Sequence, residues 1–315
     1  MGYQYSYKVD PMLYETHGLD GGIPLRVHAD PESKEHTGSL RAQLDWSRCV
    51  RSVKGYKGGL GEIFSFISVC VPECLPERLE IVSYANEFAF LYDDEMERLI
   101  DSEANASVRD VMAQSFGGGV ASQQARMLQT HIIAEMTAID CSRALTTARA
   151  WFRFLQLAAD SRSRSARTLD EYLPCRIVDA GELIWFGTLT FALALTIPDG
   201  ELELCMELAR PGYAAISLTN DLYSWDKERA EAESAGRDSV YNAIWVIMQE
   251  QMINEEEAKE VCRAKIKHYI TRYCQIVEEV KQCNWLSDDL KVYLDAVRAS
   301  HIGNLVWSIS FSALS

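Results

Sequence analysis

The sequence predicts an all-α fold, an antiparallel bundle of long helices. Apolar residues recur at three- and four-residue spacing through nearly all of the chain after Pro31, and alternating β-branched runs are scarce. The interruptions are short and carry Gly or Pro, and long helices joined by short breaks pack antiparallel.

Taken in order, residues 1–37 are Gly/Pro-rich and read as an irregular segment packed on the bundle. Helices are then expected over 38–51, 59–69, 76–103, 121–161, 175–195, 201–228, 238–251, 254–284 and 287–311. Pro72 and Pro76 separate the second from the third, and Gly117 to Gly119 lie in the break between the third and the fourth. Pro174, the run Pro198-Asp199-Gly200 and the stretch Glu233 to Gly236 mark later breaks. The basic stretch Ser161 to Arg167 reads as a solvated loop. With 48% hydrophobic residues and no composition break, the 315 residues are expected to form one domain around one core.

The 46 acidic and 31 basic residues leave a formal charge of -15, which disfavours nucleic acid as a partner. An anionic small molecule can still bind if divalent cations sit between it and the protein, so a phosphate ester is compatible and metals become more necessary. The nine cysteines are scattered without a Cys-x-x-Cys pair and read as reduced thiols. No stretch has the length and apolarity of a membrane span, so stable membrane insertion is not expected and a cytoplasmic protein is.

Two constellations carry the chemistry. In Phe88 to Glu97, Asp93 and Glu97 are spaced i, i+4 and project from one helical face, with Asp94 beside them about 100° round the axis. Like charges on one face destabilise a helix unless a cation is shared, and magnesium takes one or two such carboxylates. A solvated acidic helix end is the alternative. In Asn220 to Glu228, the side chains of Asn220, Ser224 and Glu228 follow at i, i+4 and i+8, drifting by about 80° over the stripe. An amide, a hydroxyl and a carboxylate on one face suit a second hard cation. The apolar stretch from Tyr213 to Leu218 just upstream argues that this stripe lines a cavity.

The pair Asp-Asp-x-x-Glu at Asp93 to Glu97 and Asn-Asp-x-x-Ser-x-x-Lys-Glu at Asn220 to Glu228 resembles the two metal motifs of class I terpene synthases, specifically the cyclase part of fungal chimeric diterpene and sesterterpene synthases. His17-Gly-Leu, Pro24 to His28, Tyr172 to Gly181 and Gly303 to Ser308 extend the resemblance along the whole chain in the same order. It implies the helical bundle of that family with a central active-site cavity, and three Mg2+ ions with bound diphosphate. Asp93, with Asp94 and Glu97 beside it, would hold ions on one side, and Asn220, Ser224 and Glu228 on the other. Arg176 matches the family's diphosphate-sensing arginine. Asp179 would orient it, and the helix break at Ala180-Gly181 would present a backbone carbonyl to the cleaving carbon. Lys227 adds a second cation toward the leaving diphosphate, and Phe90, Trp185 and Trp307 are expected pocket walls, with Asn304 a polar pocket residue. Phe64, Phe66, Tyr92 and Phe186 are further aromatic candidates.

The implied substrate is a linear prenyl diphosphate, geranylgeranyl diphosphate first and geranylfarnesyl diphosphate second, supplied by a prenyltransferase domain or enzyme that these 315 residues do not include. The family places an Arg-Tyr pair after the Trp-Ser of its last helix, and here Trp307-Ser308 is followed by no such pair. A catalytically inactive scaffold therefore stands beside the cyclase as an alternative of another class. A chain-elongating prenyltransferase, which uses two aspartate-rich motifs, is disfavoured by Asn220-Asp-Leu-Tyr-Ser. The oligomeric state stays open, a homo-oligomer included.

Overall fold

In the computed structural model, which describes residues 2–30, 32–54, 56, 58–102, 120–162 and 166–312, the side chains of 96–102, 120–122, 158–162 and 311–312 also lie outside the description. Two short strands, β1 (Ser6–Lys8) and β2 (Arg26–His28), pair antiparallel with Tyr7 opposite Val27. They correct the expectation of a wholly irregular N-terminal segment. Glu73 ties the hairpin down by accepting the backbone N–H of Gln4 and Tyr5 and the Ser6 hydroxyl.

The helices follow as α1 (Lys34–Cys49), α2 (Phe66–Cys70), α3 (Pro76–Ser102), α4 (Val120–Ile139) and α5 (Cys141–Arg162). Then come α6 (Leu169–Asp179), α7 (Glu182–Ala192), α8 (Leu202–Ser234), α9 (Ala243–Gln251), α10 (Glu255–Lys281) and α11 (Asp288–Ser312). Among the described residues the remainder is turns, loops and two single-turn 3-10 helices. No helix among them is long and apolar enough to cross a membrane.

α1 begins where the Asp30 carboxylate accepts the N–H groups of Lys34 and Glu35, a cap four and five residues upstream. It lies so close to α3 that a Cβ at Gly38 would sit 2.1 Å from the Glu80 carbonyl oxygen. The 33-residue α8 is the central helix and packs on both α10 and α11. Its interior Pro211 removes one backbone donor, and at the next residue the Tyr273 ring of α10 comes within 2.8 Å of where a Gly212 Cβ would be. Trp225, Tyr273 and Tyr293 are among the largest fully buried side chains here, each contributing about 1.5–3 kcal/mol of apolar burial.

Several expected boundaries move, each for a local reason. Residues 59–65 are loop, and only Phe66–Cys70 is helical. The expected helix over 121–161 is cut at Asp140, whose carboxylate accepts from Arg78, Arg143 and the Arg143 N–H and so starts a new helix. Pro174 does not end a helix but lies inside α6, which Thr168 starts by capping the Glu171 N–H at 3.2 Å. α8 runs past Glu228 to Ser234, while α9 begins only at Ala243, after an extended Asn242.

Candidate active site

The second constellation forms one stripe of α8 with its partners on α6 and α9. Tyr172 and Arg176 stand one helical turn apart on α6, facing Asn220 and Asp221. Arg176 donates from Nε to Asp221 Oδ1 at 2.8 Å, from one terminal nitrogen to Asp179 Oδ2 at 2.9 Å, and from the other to Asn220 Oδ1 at 2.7 Å. Its side chain is 11% exposed, so it is not a solvated surface arginine. Its pKa is raised by the surrounding Asp221, Tyr172 and Asp179, whose attraction outweighs the large opposing cost of burial.

Asp221 is the residue that sequence reasoning left without a role. It is fully buried and accepts from Arg176, from the Tyr172 hydroxyl at 2.8 Å and from the Ala243 N–H at 3.0 Å. Burial pushes its carboxyl up and Arg176 opposes this. Asn242, also missed, donates from Nδ2 to the Asp221 carbonyl at 2.8 Å and to Glu228 Oε2 at 3.0 Å, while its Oδ1 caps α9 through the Ile244 N–H. Tyr172 was legible as the i-4 neighbour of Arg176, but Asn242 leaves no trace in the sequence beyond a capping residue type.

A hard cation fits this donor set. The Ser224 hydroxyl is buried without a hydrogen-bond partner among the described residues, and it lies between the Asn220 amide and the Glu228 carboxylate on the same face. An orphaned buried oxygen flanked by two further oxygen donors is what a bound cation would satisfy. Among the described residues no three His, Cys, Asp or Glu side chains gather into a ligand group, and this stripe itself contains one acid, Glu228.

On α3, Asp93 is exposed and Asp94 half-buried. Burial raises the Asp94 carboxyl, Asp93 adds to the rise, and Lys227 and Arg51 oppose it. Lys227 of the second motif is thus close enough to Asp94 of the first to act on its charge. Lys227 itself is 61% exposed with its ammonium 3.7 Å from Glu231. The acid beside the motif, Glu95, is buried against Arg51 and is structural. Glu97 has its backbone in α3, but its side chain lies outside the described residues.

Below the acids, four rings from four helices meet. Phe66 of α2 makes edge contacts with Phe90 of α3 at 5.1 Å, Trp307 of α11 at 5.1 Å and Trp185 of α7 at 5.8 Å, and Phe90 stacks on Trp307 at 5.9 Å. All four are only partly buried. Phe186 differs: it is buried against Tyr293 at 5.3 Å and belongs to the core, as does Phe64 by its burial, while Tyr92 stacks on Phe88. Asn304 is buried one turn before Trp307, with its Nδ2 unpartnered among the described residues. Ala180 is exposed at the end of α6, and Gly181, with φ +86°, makes the turn into α7. The Gly181 carbonyl is already taken by the Trp185 N–H at 2.8 Å, so it is engaged in starting α7.

Residues 84–272 match the model of terpene synthase family 2, C-terminal metal binding. The chain is 45% identical over 315 residues to the bifunctional type I diterpene synthase tndC of Aspergillus flavipes, covering 98% of this chain and 41% of that protein. It is 41% identical to fusicoccadiene synthase of Phomopsis amygdali and 42% identical to a bifunctional sesterterpene synthase of Aspergillus aculeatus, covering 98% of this chain and 45% and 44% of those proteins. The chain thus spans less than half the length of these relatives. Its fold matches aristolochene synthase from Penicillium roqueforti with a TM-score of 0.69 at 21% identity, covering 90% of this chain and 96% of that one. Wild-type cucumene synthase matches with a TM-score of 0.70 at 14% identity, over 91% and 98% of the two chains. The family match spans both motifs and the helices between them, and the fold is that of solved terpene synthases: the chain belongs to the terpene synthase family.

Proposed function

We propose that residues 1–315 act as one cyclase domain that ionises geranylgeranyl diphosphate with Mg2+ and closes the resulting carbocation into a polycyclic diterpene hydrocarbon. The observation that carries the reading is the Arg176 guanidinium, buried and bonded to Asn220, beside the orphaned Ser224 hydroxyl. Asp93 and Asp94 on one side, and Asn220, Ser224 and Glu228 on the other, would hold the ions. Magnesium, when bound, supplies Lewis-acid stabilisation of the departing diphosphate.

Arg176 is the protein's own donor to the diphosphate oxygens, where a planar fork with two terminal nitrogens suits a phosphate edge. As the allylic C–O bond breaks, the electron pair leaves with the diphosphate, and donors aimed at that growing charge lower the barrier. Asp179 and Asp221 hold the guanidinium in orientation, and Lys227 adds positive charge at the rim. The allylic cation then stands against Phe66, Phe90, Trp185 and Trp307, whose ring faces each stabilise a nearby cation by about 0.5–2 kcal/mol and exclude water that would quench it. Ring closure proceeds by attack of the chain's own double bonds, and loss of a proton ends it as a hydrocarbon.

The kinship to diterpene synthases favours the C20 substrate, and the 42%-identical sesterterpene synthase keeps geranylfarnesyl diphosphate as the second reading. A prenyltransferase supplies the substrate, and two of the relatives are named bifunctional. The test is incubation of the protein and Mg2+ with farnesyl, geranylgeranyl and geranylfarnesyl diphosphate separately, followed by gas chromatography and mass spectrometry. A cyclic C20 hydrocarbon that vanishes with chelator is expected. A product from the C25 substrate alone moves the assignment to sesterterpenes, and no product from folded protein leaves the inactive scaffold standing.

A further inference from the structure

The four-ring cluster does not hold itself in place. Its hub, Phe66, opens the five-residue helix α2, too short to be stable by its own hydrogen bonds, and Ser65 before it makes no side-chain cap. The cap comes from another helix. Glu35 of α1, 4% exposed, accepts the N–H of Ile67 at 2.8 Å, the N–H of Ser68 at 3.0 Å and the Ser68 hydroxyl. The residue beside the hub is thereby fixed to α1.

The far end of α2 is fixed by α11. Ser300 Oγ lies 2.9 Å from the Cys70 carbonyl and 3.0 Å from the Ala296 carbonyl, which share its proton, and the same oxygen accepts Trp185 Nε1–H at 2.9 Å. One hydroxyl therefore sets both the end of the hub's helix and the tilt of a second ring. One turn on, a Cβ at Gly303 would lie 2.3 Å from the Val69 carbonyl oxygen, so the backbone of α11 is pressed against α2 on the way to Trp307. Glu35 touches the segment that carries the hub ring, and Ser300 holds both the end of that segment and the indole N–H of Trp185.

We infer that Glu35 and Ser300 are specificity-determining positioning residues: they fix the mutual placement of Phe66 and Trp185 within the aromatic cluster, and through it the ratio of hydrocarbon products. The inference rests on the cyclase reading for its consequence and on the ring geometry for its cause. Cation–ring attraction fades beyond about 6 Å, so ring displacements at contacts of this length redistribute stabilisation among competing cations. They leave diphosphate ionisation, which Arg176 and the metal-facing stripe serve, to one side.

The test compares wild type, Ser300→Ala and Glu35→Gln, with Phe66→Leu as a reference for a displaced hub. Two readouts are taken: the product ratio by gas chromatography and mass spectrometry, and the near-ultraviolet circular dichroism of the substrate-free proteins. Ser300→Ala is expected to change the ratio of minor to main product by about threefold or more in the direction of Phe66→Leu, with a changed tryptophan band and an unchanged Mg2+ dependence. Glu35→Gln is expected to do the same, and where it lowers stability too far, Ser300→Ala decides. A wild-type product ratio in folded Ser300→Ala overturns the inference. If wild type itself makes no hydrocarbon, the cyclase reading fails separately; an unchanged tryptophan band in Ser300→Ala then overturns the positioning role, and a changed band upholds it.

Discussion

Arg176 and Asn220 share a hydrogen bond of 2.7 Å in which the arginine donates to the amide oxygen that the metal-facing stripe presents. The group proposed to bind diphosphate and a group proposed to bind metal are therefore in direct contact, and Asp221 joins them from beneath.

Arg176→Lys keeps a positive charge and loses the fork. The lysine's single nitrogen cannot reproduce the three separate directions in which the guanidinium donates to Asp221, Asp179 and Asn220, so diphosphate is met by a mobile point charge. A fall in kcat/KM of about 100-fold or more is expected, the size seen when a pre-aimed donor to a leaving anion is removed, with Mg2+ dependence retained. Steady-state hydrocarbon release measures it.

Asp221→Asn removes the charge that balances a buried guanidinium. Breaking a buried pair by deleting one partner costs about 3–5 kcal/mol, because the other charge is left uncompensated. Chemical denaturation should show a loss of that order. A loss below about 1 kcal/mol would mean that Asp179 alone suffices for Arg176.

Ser224→Ala separates folding from function. Its hydroxyl is buried without a partner among the described residues, so its removal should leave stability within about 1 kcal/mol or raise it. The Mg2+ concentration giving half-maximal activity should rise by about tenfold or more if the oxygen is a ligand. Equal Mg2+ dependence in mutant and wild type would remove Ser224 from the metal set.

Glu35 gives a pH signature. Burial raises its carboxyl from 4.5 to about 7, against its hydrogen bonds from Ser68 and Ile67. The folded state then holds a proton that the unfolded chain has released between these values, so stability falls as pH rises from 4.5 to about 7 and is level above. The wild-type stability relative to Glu35→Gln should decline by on the order of 3 kcal/mol across that window. Urea unfolding of both proteins at several pH values reads the difference.

The helical fold and both motifs were legible because they are local. Spacings of three and four residues put Asn220, Ser224 and Glu228 on one face of α8 whatever surrounds them, and Phe90 falls one turn before Asp93 for the same reason. Where helices stop was less legible. Asp140 cuts one because it captures Arg78, far away in sequence, and Pro174 lies within α6 because Thr168 starts that helix earlier.

By itself the sequence determined an all-α chain, an acidic pair and an amide–hydroxyl–carboxylate stripe, since each depends on residue type and on a period fixed by backbone geometry. Only the tertiary structure decided that Asp221 and Asn242 hold Arg176 and Glu228, that Phe66 is the hub where Phe186 is core, and that Glu35 and Ser300 place the rings. Those relations join residues on different helices. They follow from which faces meet when the apolar stripes are buried, and a pattern along one strand of sequence does not contain that.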